Sequence, residues 1–165
     1  MAPATAAAVT AAAPTATVPI SNGQAGIATI KVGQGISAVA VNPSTNMIYV
    51  ANGFDHSIVV INGATKSIIN RIPIEAAPQY RLAVNPSTNT LYVTGNNSVM
   101  VIDGATNQVS TTIKLDGPPS AVAVNPATKM IYVAVADPTG RNSGVRVIDG
   151  ATNKVAATIN TAVSA

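Results

Sequence analysis

The sequence predicts an all-β protein assembled from repeated four-stranded units, on three observations. The string Ala-Val-Asn-Pro-x-Thr-x-x-Ile/Leu-Tyr-Val occurs at 40–50, 83–93 and 123–133. A second string, Ile-Asn/Asp-Gly-Ala-Thr, follows each copy at 61–65, 102–106 and 148–152. Between them, short runs rich in Val and Ile alternate with clusters of Asn, Pro, Gly, Ser and Thr, and no segment sustains an apolar stripe at helical period. A recurrence of about forty residues that carries two turns and several apolar runs marks a repeat array, each repeat being one supersecondary unit.

The first unit, 37–74, holds strands at 37–41, 47–51, 58–62 and 67–74, here termed a, b, c and d. The a–b link is Asn-Pro-x-Thr, in which Pro sets φ for the second position of a type I turn and Asn bonds back to its own backbone. In the c–d link, Asn/Asp-Gly-Ala-Thr, Gly is expected to supply the positive φ of a tight hairpin. The second unit covers 80–115 and the third 120–160. Their a strands, Ser37–Val41, Tyr80–Val84 and Ser120–Val124, put Val or Leu on one face and mostly Ala on the other. A sheet covered on both sides has that pattern. Four strands in about forty residues is the size of a β-propeller blade, whereas a β-solenoid would need a shorter period.

Residues 26–32 resemble the d strands at 110–115 and 156–159, so the array is expected to open with a lone d strand, thirteen strands in all. Three blades cannot close a ring of the usual four to eight. The expected architecture is therefore an open or partial ring, either a fragment of a longer protein or a unit that assembles. A blade is apolar on both faces, so the bare terminal blades predict self-association.

At Tyr49-Val50-Ala51-Asn52, at Leu91-Tyr92-Val93-Thr94 and along the c–d string 101–109, the chain resembles the YVTN-type β-propeller repeat family of bacterial and archaeal cell-surface and surface-layer proteins. The resemblance extends over 37–160, with departures from the naming tetrapeptide at Ala51, Gly95 and Ala134-Val135. Members commonly carry seven blades, so the resemblance implies a partial ring. It also implies an extracellular or cell-surface location.

Composition narrows the function. Five aromatics and no Trp leave the core to Val, Ile, Leu and Ala. A net charge of +3 from scattered Lys and Arg, with no basic run, argues against a nucleic-acid partner. Without Cys there can be no disulfide, Zn-thiolate site or Cys nucleophile. Residues 1–24, uncharged and rich in Ala, Thr and Pro, are expected to be a disordered linker or a signal remnant, with 25–161 as the repeats and 162–165 as a tail. No apolar stretch is long enough to span a membrane. The sequon Asn96-Asn97-Ser98 is expected to be a b–c turn.

Candidate chemistry is sparse. His56 is the only histidine, within the Phe54-Asp55-His56 hairpin loop, so any triad or histidine-based metal site would have to be built around it. Asp103 and Asp149 end c strands where the first unit has Asn62, which points to turn capping and away from a metal. The b–c and d–a loops differ among units while the a–b and c–d turns recur, and variable loops on a rigid scaffold are where binding usually sits. Phe54, Asp55 and His56, together with Asp137 and Arg141 of the long third b–c loop, are therefore candidate ligand contacts. So are Tyr80 and Arg81, which stand where the other units have Ser-Ala and are expected on the innermost strand at the channel mouth. Arg81 could grip an anionic group or pair with Glu75. No catalytic residue, metal or cofactor is assigned. The expectation is a non-catalytic binding or structural module with a protein or glycan ligand. The alternative is a fragment of a propeller enzyme of the lactonase or quinoprotein dehydrogenase type.

Overall fold

The structure, a computed structural model, describes residues 29–77, 79–136 and 143–161. Twelve strands and no helix occupy them. β1 Ile36–Asn42, β2 Met47–Asn52, β3 Ser57–Asn62 and β4 Ser67–Pro73 form the first sheet. β5 Leu82–Asn85, β6 Thr90–Thr94, β7 Ser98–Asp103 and β8 Gln108–Lys114 form the second, and β9 Pro119–Asn125, β10 Met130–Val135, β11 Gly144–Asp149 and β12 Lys154–Asn160 the third. Every pairing is antiparallel between chain neighbours, as short hairpin links require. The a strands β1, β5 and β9 lie beside one another in turn. The result is an open arc of three blades. The c–d register slips once in each blade, at Val60/Ile61, Val101/Ile102 and Val147/Ile148, a repeated bulge that adds twist to the outer strands.

Side-chain capping shapes the turns as the sequence implies. Asn42 Oδ1 accepts from Ser44 N, Asn85 Oδ1 from Ser87 N, and Asn125 Oδ1 from Ala127 N. Asn62, Asp103 and Asp149 act alike in the c–d turns, accepting from Ala64, Ala105 and Ala151 N at 2.9, 2.7 and 2.7 Å. The expected role of the turn glycine needs correction. Positive φ falls three residues later, at Lys66, Asn107 and Asn153. Gly63, Gly104 and Gly150 are needed instead for close approach, because each N–H donates to a carbonyl of the a–b turn: Asn46, Asn89 and Lys129 respectively. A Cβ on Gly104 would lie 2.7 Å from Asn89 O, and one on Gly150 2.5 Å from Lys129 O.

Packing alternates with the strand period. Tyr49, Ala51, Ile58, Val60 and Ile72 of the first blade meet Leu91, Val93, Met100 and Ile102 of the second, with Ile74 and Tyr80 enclosed between them. On its other face the second blade presents Tyr92, Val99, Val101 and Ile113 to Ile131, Val133, Val135 and Ile148 of the third.

The expected opening d strand is also corrected. Residues 26–28 lie outside the described residues, and 29–32 form no strand. Ile30 and Val32 pack instead on Val50, Val59 and Ile61 of the first blade. Among the described residues no strand pairs with this segment, and Ile30 and Val32 hold it by burial while Thr29 and Lys31 stay exposed. Val32 O is fixed by Asn52 Nδ2 at 3.1 Å and Arg71 Nη1 at 3.2 Å.

Candidate functional site: the loop face around Arg81

The described parts of the b–c and d–a loops lie together at one end of the blades. Gly53 N donates to Gly35 O, and Ala136 N to Pro118 O, each joining a b–c loop to the d–a loop beside it. Between the second and third blades these loops enclose a cleft of about 310 Å³. Gln79 and Arg81 line it on one side, Gly95, Asn96 and Asn97 form its floor loop, and Pro118, Pro119, Ser120 and Ala136 close the other side.

Among the described residues of that lining, Arg81 alone is ionisable. It precedes β5, which starts at Leu82 and not at residue 80 as expected. A side-chain bond takes the place of a ladder bond here, for Arg81 N donates to Thr94 Oγ1 at 2.8 Å while Arg81 O accepts from Thr94 N at 3.0 Å. The guanidinium donates to Tyr80 O at 3.0 Å and to Gln79 Oε1 at 2.7 Å, and these contacts replace the expected pairing with Glu75. It is half-buried, so an acidic ligand group could displace water from it with little reorganisation.

The other candidates are dispersed. Tyr80 is buried between the first two blades, where its hydroxyl donates to Glu75 O at 2.8 Å and accepts from Ala77 N at 3.1 Å. Its position is internal rather than at a channel mouth, because these two bonds of the d–a loop satisfy its polar end. Burial raises the Tyr80 phenol above its ordinary pKa of 10.0, with the Ala77 bond opposing. His56 is exposed in the b–c loop of the first blade, at φ 44°, with Nδ1 3.2 Å from the Tyr80 hydroxyl. Asp55 is tied to Asn52, its Oδ2 accepting from Asn52 Nδ2 at 2.7 Å. Phe54 is exposed beside Gly35. None of these lines the Arg81 cleft. Asp137 and Arg141 lie outside the described residues, although Ala136 at the cleft wall is next to Asp137 in sequence. Among the described residues no three His, Asp or Glu side chains group as metal ligands, and no helix could cross a membrane.

Sequence reasoning missed Arg146. It stands on β11 where the other c strands have Val59 and Met100, it is buried, and it reaches Asp116 of the d–a loop. A charge at a position that is apolar in the other units was the available signal. A second cleft of about 250 Å³ opens there, between Lys114, Asp116, Arg146 and Thr158.

No family model and no curated protein matches the chain. Solved structures do. Hydrazine synthase of Kuenenia stuttgartiensis is similar over 85% of this chain and 40% of its own, with 24% identity and a TM-score of 0.70. The RRP9 WD40 repeats match over 76% and 38%, with 18% identity and a TM-score of 0.65. The β-propeller domain of Cps50 (Swd1) from Myceliophteria thermophila matches over 70% and 36%, with 11% identity and a TM-score of 0.58. The chain thus spans about two fifths of the length of these neighbours or less, and the likeness establishes its fold as part of a β-propeller.

Proposed function

We propose that this chain is a non-catalytic β-propeller module of the YVTN type, at the cell surface or secreted, that binds an acidic group of a protein or glycan ligand on its loop face at Arg81. The carrying observation is the cleft itself: one guanidinium among amide, hydroxyl and proline side chains, set in loops that differ between otherwise uniform blades. Among the described residues its lining offers a cation and hydrogen-bond partners, which supports binding of an acidic group. The cell-surface assignment rests on the sequence resemblance. An enzymatic reading draws on the hydrazine synthase neighbour, but a shared fold carries no activity with it.

Calorimetric titration with dextran sulfate, poly-glutamate and neutral dextran tests this proposal. One of the two anionic polymers is expected to bind the wild-type chain, with about tenfold weaker binding to Arg81→Ala, the loss of one charge-assisted contact. Unchanged binding by Arg81→Ala, or equal binding of neutral dextran, would overturn it.

A further inference from the structure

Each blade carries two chemically distinct faces, and the contact between them repeats until the third blade. The forward face bears the b-strand Tyr and the a–b Asn. In the first blade these are Tyr49 and Asn42, both buried by the second. Asn42 Nδ2 donates to Asn89 Oδ1 at 2.7 Å, and the Tyr49 phenol senses Asp103 of the next c–d turn. In the second blade they are Tyr92 and Asn85, again buried, with the Tyr92 hydroxyl 3.1 Å from where a Cβ on Gly150 would lie. In the third blade the same pair, Tyr132 and Asn125, is exposed.

The rear face shows the converse. Leu82 and Val84 pack against the first blade's core, and Val122 and Val124 against the second's. Their counterparts Val39 and Val41 on the first blade stand 64% and 53% exposed. The first blade nonetheless carries the groups that a forward face meets elsewhere. Asn46 occupies the place of Asn89, and Asn62-Gly63 that of Asp103-Gly104 and Asp149-Gly150.

We propose that the forward face of the third blade docks on the rear face of the first blade of a second copy, with Tyr132 against the Asn62-Gly63 turn and Asn125 bonded to Asn46. The chain's two internal interfaces are the template for this contact. It is head to tail, so two copies can join twice about a two-fold axis and bring six blades into one ring, within the usual four to eight. The outer edge determines how the blades fit. Ile30 and Val32 already lie on the rear face of the first blade, as Ile72 and Ile74 lie on that of the second. The outer strand of a docking blade would arrive there with Ile159, and the segments read alike, Ala28-Thr29-Ile30 and Ala157-Thr158-Ile159. β12 is exposed at all seven residues, so it yields and the resident 29–32 segment serves as the outer strand of the docked blade.

Sedimentation velocity on the full chain with two variants tests this. Tyr132→Glu disables only the forward face, and Val39→Glu/Val41→Glu only the rear. The wild type is expected to sediment at twice the 16.5 kDa chain mass and each variant as a monomer. An equal mixture should recover the dimer, since one intact forward face then meets one intact rear face. Circular dichroism checks that each variant is folded. Should either fail to fold, Asn125→Arg and Val41→Lys make the same test. A monomeric wild type, loss of assembly in only one variant, or no recovery on mixing overturns the proposal.

Discussion

Arg146 and Asp116 clasp each other across the boundary between the second and third blades. Nε donates to Oδ1 and Nη2 to Oδ2, both at 2.8 Å, with the arginine 3% exposed and the aspartate 57%. The equivalent c-strand positions hold Val59 and Met100, so this site accepts an apolar side chain elsewhere in the chain. Replacing a buried charge by a packed apolar residue is often neutral or better, whereas removing one partner takes a bidentate charge-assisted contact from a buried charge. Arg146→Met is therefore expected to change stability by less than about 1 kcal/mol, and Asp116→Ala to lower it by about 2 kcal/mol. Urea unfolding of both variants measures the difference.

Gly104→Ala tests the stitched turns. Its methyl would press on the Asn89 carbonyl, and backbone on both sides of that contact is fixed by the Gly104 N to Asn89 O bond of 2.8 Å. A loss of about 2 kcal/mol is expected from such overpacking. Ala at the exposed turn position Thr106, which has no comparable approach, should cost about 0.5 kcal/mol or less. Thermal unfolding distinguishes the two.

Alkaline pH should weaken the fold through its tyrosines. Burial lifts the phenol pKa values of Tyr49, Tyr80 and Tyr92 above 10.0, with Asp103 adding to the shift of Tyr49. Below pH 10.0 these phenols are protonated in both states and their contribution is complete. Above it the unfolded chain ionises first, so stability falls as pH climbs from 10.0 through the raised values. Unfolding followed by phenolate absorbance should show ionisation lagging the ordinary titration curve until the chain opens. Tyr92→Phe should reduce the pH-dependent loss.

Tyr80 and His56 separate a structural from a peripheral role. Tyr80→Phe deprives Glu75 O and Ala77 N of their partner and is expected to cost about 1–2 kcal/mol. His56→Ala removes one 3.2 Å contact at an exposed loop and should stay within about 0.5 kcal/mol. It should also leave binding at the Arg81 cleft unchanged, because His56 does not line it.

Local chemistry made most of the fold legible. The pattern Asn-Pro-x-Thr and the strand alternation around it placed β1 to β4 within about a residue or two of their observed bounds, because turn capping and period-two burial act over a few residues. What depends on distant partners was not legible. The need for Gly63 arises from Asn46 in another turn, and the burial of Tyr80 from a loop that folds back to meet its hydroxyl. A d strand exists only if a c strand offers it hydrogen bonds, so the likeness to other outer strands could not by itself make residues 29–32 one. The described parts of the b–c and d–a loops share one end, and Arg81 lies there. The cleft partners Gln79 and Pro119 come together only through the curvature of the arc.

Coverage is graded along the arc: the second blade is packed on both faces, the first is partly shielded by Ile30 and Val32, and β12 at the far side is exposed throughout. A chain whose blades touch only their neighbours opens piecemeal, from the least supported edge inward. Amide exchange should therefore record a spatial sequence, with β12 losing its protons first and β6 and β7 last. In the lone chain, the third blade then acts as a fraying end, and the middle blade is the seed from which order spreads.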